Sequence, residues 1–293
     1  MRETLLAIIE AEWARMADAV AHAGPGFSAP VRVAAGRKMQ GDVAVIPLRG
    51  FLAKGEPSGI MGMLFGGTSA DRFARDVVAA LRDPSIGAVV MDVDSPGGEV
   101  AGTPEAAAMI RDARGGKPLI SVANTIMGSA AYYIGAQADE VVVSPSGMVG
   151  SVGVFAAHVD ESKALETEGR KVSLISYGRR KVEGNPYEPL TDEARASIQA
   201  RVDYAGELFV ADVAKGRTSS AMGRRVSADK VRAGYGEGAP LVAPEAVAAG
   251  VADRIATLDE VLSELVRGRS PRGGARAYDA SELAARAALA DFR

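Results

Sequence analysis

Ser129 stands in the run Gly128-Ser129-Ala130-Ala131-Tyr132-Tyr133, and Lys181 follows in Gly178-Arg179-Arg180-Lys181. A serine hydroxyl is a weak nucleophile until a base takes its proton, and a neutral lysine amine is one such base. Burial beside apolar groups and nearby positive charge both favour the neutral amine. The chain offers few other candidates, since it has no cysteine and only two histidines, His22 and His158. A Gly-Ser-Ala step between a strand and a helix sets the hydroxyl at a helix N-terminus, where the Ala130 N–H faces a developing oxyanion. Gly97-Gly98, within Asp94-Ser95-Pro96-Gly97-Gly98, lets the backbone approach a substrate closely, so the Gly98 N–H supplies a second donor. Ser151, in Gly150-Ser151-Val152-Gly153-Val154, is placed to orient a lysine amine.

Each residue also has an ordinary reading. Ser129 reads as a helix cap, Lys181 as a solvated charge in a basic run, Ser-Pro-Gly-Gly as a turn, and Ser151 as a serine in a glycine-rich strand. A Ser/His/Asp triad drawing on His158 and Asp160 is a further arrangement to weigh.

The elements that must position these groups follow from periodicity. Leu5, Ile9, Trp13, Met16 and Val20 fall on one face of a predicted amphipathic helix over residues 1–23. Residues 24–40, with Gly24-Pro25-Gly26 and Pro30, read as a linker. A main domain over 41–258 then alternates. Strands are predicted at Val43–Leu48, Ala88–Val93 and Leu119–Ala123, and helices at Ala70–Leu81, after Thr103-Pro104, and from Asp192 to Lys215 with Thr191 and Gly216 as caps. Continuous Val, Ile and Leu strands between amphipathic helices predict an α/β fold whose mostly parallel sheet is covered on both faces. Chemistry in such sheets collects at the carboxyl ends of strands, where both the Asp94–Gly98 and Gly128-Ser129 clusters fall. Residues 259–293 are predicted to hold a short helix to Val266, a basic flexible run from Arg267 to Gly274, and a terminal helix from Ser281 to Phe292. The apolar, glycine-rich stretch Gly55–Gly67 reads as a loop folded on the core, as a flap lining a substrate groove, or as an oligomer contact.

Composition narrows the classes. With 293 residues, 47% hydrophobic and 24% charged, the chain is of ordinary globular make-up, and a net charge of −3 gives no global attraction for nucleic acid. The arginines from Arg267 to Arg276 read as a solvated linker. Absence of cysteine excludes disulfides and thiolate metal sites. Residues 118–138 lack charge but carry Pro118, Asn124, Gly128, Ser129 and Gln137, so they are expected as strand, turn and helix; no membrane span and no cleavable leader is expected.

Taken in order, Asp94-Ser95-Pro96-Gly97-Gly98, Gly128-Ser129-Ala130-Ala131-Tyr132-Tyr133 and Pro145-Ser146-Gly147-Met148-Val149-Gly150-Ser151-Val152-Gly153-Val154 resemble the signal peptide peptidase A family of serine proteases, peptidase family S49. Tyr177-Gly178-Arg179-Arg180-Lys181-Val182-Glu183-Gly184-Asn185-Pro186-Tyr187 resembles the phage capsid assembly branch of that family. The resemblance implies a fold related to Clp protease and crotonase and a Ser/Lys dyad. It also implies Ser129 as nucleophile, Lys181 as base, Ser151 as the residue orienting the lysine, and Gly98 with Ala130 as oxyanion donors. Gly97 and Gly150 would line the substrate track. No cofactor or metal is implied. The partners implied are a polypeptide substrate among capsid or scaffold proteins and further copies of the chain, which in some relatives exchange the lysine between protomers. Arg180 stands before Lys181 where relatives often carry another residue, and the membrane anchor of the cellular enzymes has no counterpart. The expected setting is the host cytoplasm, inside the assembling procapsid, without nucleic acid or membrane. Alternatives are a bacterial signal-peptide or quality-control peptidase, a non-catalytic capsid scaffold, and crotonase-like acyl-CoA chemistry.

Overall fold

The computed structural model describes residues 6–8, 38–56, 66–218 and 224–267. In chain order the strands are β1 (Leu6–Ile8), β2 (Lys38–Gln40), β3 (Val43–Ala53), β4 (Gly67–Ser69), β5 (Ala88–Glu99), β6 (Leu119–Gly128), β7 (Glu140–Val143), β8 (Met148–Gly150), β9 (Pro240–Val242) and β10 (Arg254–Ile255). The helices are α1 (Ala70–Arg82), α2 (Thr103–Ala113), α3 (Ala130–Gly135), α4 (Ser162–Thr167), α5 (Asp192–Arg217), α6 (Ala228–Gly234), α7 (Ala243–Ala249) and α8 (Leu258–Val266).

The main path of the sheet runs β10-β7-β6-β5-β3-β2, parallel except where β2 turns back on β3; off this path β1 pairs antiparallel with β5 and β9 with β8. Alternate residues of the central strands enter two separate cores. Ala44, Ile46, Leu48, Val89, Met91, Val93, Leu119 and Ala123 pack with α1, α2 and α3. Val43, Val45, Ala88, Val90, Ile120, Val122 and Val142 pack with Val261 and Leu262 of α8. With both faces covered, the apolar runs at Val43–Ile46, Ala88–Val93 and Leu119–Ala123 have no solvent side, which explains their continuity. Thr257 and Glu260 close a capping box at the start of α8.

The α/β architecture and its mostly parallel sheet are those expected, with local differences. Lys38–Gln40, assigned to the linker, pairs with Val43–Val45 across a Gly41 turn at φ 63°. Leu6–Ile8, expected to open the N-terminal helix, is instead a strand antiparallel to Gly97–Glu99; residues 9–37 lie outside the described residues. A backbone slot beside β5 offers ladder partners that a spacing of apolar residues does not report. Residues 57–65 of the supposed flap and 268–293 also lie outside the described residues.

Gly216 does not cap α5, which continues to Arg217 with Thr218 at the C-cap. Its missing side chain serves packing: a Cβ there would come within 2.6 Å of the Ala136 carbonyl. Thr191 caps the other end as expected, accepting the Ala194 N–H at 3.2 Å. α5 is buried mostly through its second half, at Ala205, Phe209 and Val213, with Ala194 buried near its start, while Tyr204 remains 73% exposed.

Candidate active site

β6 ends at Gly128 and α3 begins at Ala130, so Ser129 alone makes the turn, at φ 49° and ψ −116°. A non-glycine residue in that region carries about 1–3 kcal/mol of strain and needs its surroundings to hold it. Several contacts do so. The Ser129 N–H donates to the Gly150 carbonyl at 2.7 Å, and its carbonyl accepts the Tyr133 N–H at 2.8 Å. Tyr132 donates its hydroxyl to the Val251 carbonyl at 2.9 Å. Tyr133 donates to Asp212 at 2.7 Å and stacks on Phe209 with ring centroids 4.5 Å apart. Gly135 lets α3 lie directly on its own strand, because a Cβ there would collide with Met127 and come within 2.8 Å of Ser121 Oγ.

The Ser129 side chain makes no capping bond to α3. Its hydroxyl, 1% exposed at the residue level, donates to the Gly153 carbonyl at 3.3 Å. Among the described residues three non-glycine positions have positive φ: Ser129, Ser151 and Glu237. All three meet around one short ladder. Gly150, at φ 108°, accepts from Ser129, pairs with Pro240 and precedes Ser151. Ser151 donates its N–H to the Ala239 carbonyl at 3.2 Å and its hydroxyl to the Gly238 carbonyl at 2.8 Å. Strain concentrated in this way marks functional sites more often than plain scaffolding.

Asp94–Gly98 is not a turn that ends its strand. β5 continues through Glu99, with Gly97 and Gly98 paired to Phe51 and Leu52 after register shifts at Arg49/Phe51 and Val93/Ser95. The two glycines have different reasons. Gly97 sits at φ 107°, while a Cβ on Gly98 would run into the Leu52 backbone. Below the shifts, Arg49 forms an ion pair with Asp92, which also accepts from Asn124 Nδ2 at 3.2 Å, tying β3, β5 and β6 together. Ser95 pairs with Met127, so β5 carries Gly98 past the point where β6 turns into the Ser129 elbow. Ala130, fully buried, is the first residue of α3, and its N–H has no partner within its own helix.

No hydrogen bond joins Lys181 to Ser129, whose hydroxyl goes to Gly153. Lys181 lies in an exposed turn, its N–H donating to the Gly178 carbonyl at 3.1 Å. Its neighbours are paired, Arg179 with Glu193 at 3.0 Å and Arg180 with Glu183 at 3.3 Å. The turn belongs to an arm over residues 155–190 that carries Ile175 at 98% and Tyr177 at 102% exposure. The His158/Asp160 arrangement does not form either. His158 Nε2 is bonded to the Asn185 carbonyl at 3.0 Å, and Asp160 accepts the Ser162 N–H at 2.9 Å.

Sequence reasoning missed the supports. Arg217, fully buried, and Arg224 both pair with Asp253, which also accepts the Val141 N–H at 2.8 Å. Burial pushes the Asp253 carboxyl up, but the two guanidiniums and the Val141 N–H outweigh it and hold it below the usual carboxylate range. The tyrosine pair beside Ser129 was visible as a motif, yet its anchoring partners come from α5 and the α7 exit, far along the chain.

The whole defines an α/β fold that presents a strained serine where a parallel strand turns into a helix. The chain belongs to peptidase family S49, which its residues 111–270 match, more than half its length. It is similar to the capsid assembly protease C of Escherichia phage lambda, 29% identical over 79% of this chain and 50% of that one. A head-tail preconnector protein of a second enterobacterial phage is 31% identical over 81% of this chain and 45% of that one. Protease 4 of Salmonella typhi is 26% identical over 76% of this chain and 34% of that one. The chain thus spans half or less of the length of these relatives. A solved mutant of a membrane-bound stomatin-specific protease superposes with a TM-score of 0.41 at 15% identity, over 67% of this chain and 76% of that one, too loosely to carry an argument. No described helix is long and apolar enough to cross a membrane.

Proposed function

We propose that the chain is a serine endopeptidase that cuts capsid or scaffold polypeptides during phage head assembly. The observation that carries this is the elbow: Ser129 is held at φ 49° by the Gly150 carbonyl while its side chain leaves the helix uncapped. In this reading Lys181 takes the hydroxyl proton as Ser129 Oγ attacks the peptide carbonyl. The Gly98 and Ala130 N–H groups receive the oxyanion. The lysine ammonium returns the proton to the leaving amine, then the amine activates water to release the acyl group. Gly97 and Gly150 line the track of the extended substrate. Ser151, whose proton points to Gly238, offers its oxygen to the ammonium.

Because Lys181 stands in solvent on an arm with exposed Ile175 and Tyr177, the dyad is completed between copies of the chain. A second copy covering this arm would bury the apolar side chains and dry the amine, the environment a lysine base needs. Similarity to a phage capsid assembly protease and a phage head-tail preconnector protein supports the substrate class.

A serine-directed fluorophosphonate, mapped by mass spectrometry, tests the reading. Labelling at Ser129 is expected, together with loss of at least about 10⁴-fold in cleavage of co-expressed capsid or scaffold protein on Ser129→Ala. An unlabelled Ser129 with unprocessed partners would leave the exposed arm to a purely scaffolding role.

A further inference from the structure

Beyond Ser95 the slot beside β5 is vacated as β6 turns into the elbow, and the strand that fills it is the chain's own β1. Ser95 pairs with Met127, and the next rungs are Gly97 with Ile8, Gly98 with Ala7 and Glu99 with Leu6, antiparallel. At a rise of about 3.3 Å per residue, the Ile8 rung lies about 7 Å along β5 from the Ser95–Met127 rung, and Ser129 is two residues past Met127. On the other edge of β5 the same two glycines pair with Phe51 and Leu52. Among the described residues this leaves the β1 side as the edge from which a polypeptide can reach the Gly98 backbone along the ladder. Strand addition of this kind binds through main-chain hydrogen bonds.

We infer that Leu6–Ile8 is an internal pseudosubstrate: it occupies the strand position a polypeptide must take to be cut, and fixes the direction of that polypeptide as antiparallel to Gly97–Glu99. The inference rests on the proposed protease reading for its consequence, though not for the pairing itself. A strand tethered to its own slot acts at an effective concentration of about millimolar. If it fills the slot about nine-tenths of the time, the apparent affinity for an outside polypeptide falls about tenfold. Entry of substrate then requires β1 to leave, so the N-terminal segment restrains the protease until a partner displaces it.

The test uses the full chain carrying Ser129→Ala, with and without Leu6→Pro, Ala7→Pro and Ile8→Pro combined, which removes all three N–H groups of β1. The probe is a fluorescent peptide of sequence Leu-Leu-Ala-Ile-Ile, followed by anisotropy. Hydrogen exchange over residues 95–99 is measured alongside. The proline chain is expected to bind the peptide about tenfold more tightly, to exchange faster at 95–99, and to regain protection when the peptide is added. Equal affinity for the two chains, including no binding by either, or unchanged exchange would overturn the inference. Fluorophosphonate labelling of Ser129 in the parent chain separates this from the protease reading: labelling with equal peptide affinity removes the pseudosubstrate alone, and the converse removes the protease alone.

Discussion

The elbow around Ser129 and the arm around Lys181 are built in opposite ways. The elbow is buried, strained, and pinned from four directions by Gly150, Val251, Asp212 and Phe209. The arm is exposed, its ion pairs sit on the surface, and its largest apolar side chains face water. Ser129 is therefore preorganised by the fold of a single chain, whereas Lys181, in the dyad proposed above, would depend on a second copy. On the proposed reading, such a division would tie proteolysis to oligomer formation.

That contrast can be broken most forcefully at the supports of the elbow. Asp253→Asn leaves Arg217 buried without its carboxylate, and a loss of about 3–5 kcal/mol in denaturant unfolding is expected. The same group sets an acid limit. Its carboxyl is held low in the folded chain, so its contribution is full above the ordinary carboxylate range and is lost as the pH falls through the depressed value. Gly135→Ala pushes a methyl group against Met127 and Ser121, with an expected cost of about 2 kcal/mol and a displaced elbow that labels poorly with fluorophosphonate. Ser129→Gly relieves the positive φ and should raise stability by about 1 kcal/mol while removing activity. In the arm, Glu193→Gln breaks an exposed pair with Arg179 and should change stability by no more than about 0.5 kcal/mol. A larger effect there would mean that the arm is part of the rigid body.

Much of this was legible in the sequence where burial is local and repetitive. The strands at Val43, Ala88 and Leu119 announced themselves because both sheet faces are covered, and α1 and α5 because their apolar spacing is helical, with Thr191 as the N-cap of α5. Legibility failed where a distant segment decides the outcome. Gly98 looked like part of a turn, but the Leu52 backbone beside it makes it a strand residue. Leu6–Ile8 fell inside a helix predicted from the spacing of Leu5, Ile9, Trp13, Met16 and Val20, but an open rung on β5 takes it as a strand. Ser129 and Lys181 were both found by residue type and motif. Whether Lys181 stays a solvated charge was not, because the motif leaves its exposure to the packing of the 155–190 arm.

The most direct test mixes subunits. Chains carrying Ser129→Ala and chains carrying Lys181→Ala are each expected to be inactive toward a co-expressed capsid or scaffold substrate. Co-assembled in equal amounts, they should recover about a quarter of the parent activity, since about half the sites keep the serine and half of those meet an intact lysine from a neighbour. A mixture as inactive as its components, in oligomers proven by mass to contain both chains, would contradict a dyad shared between copies.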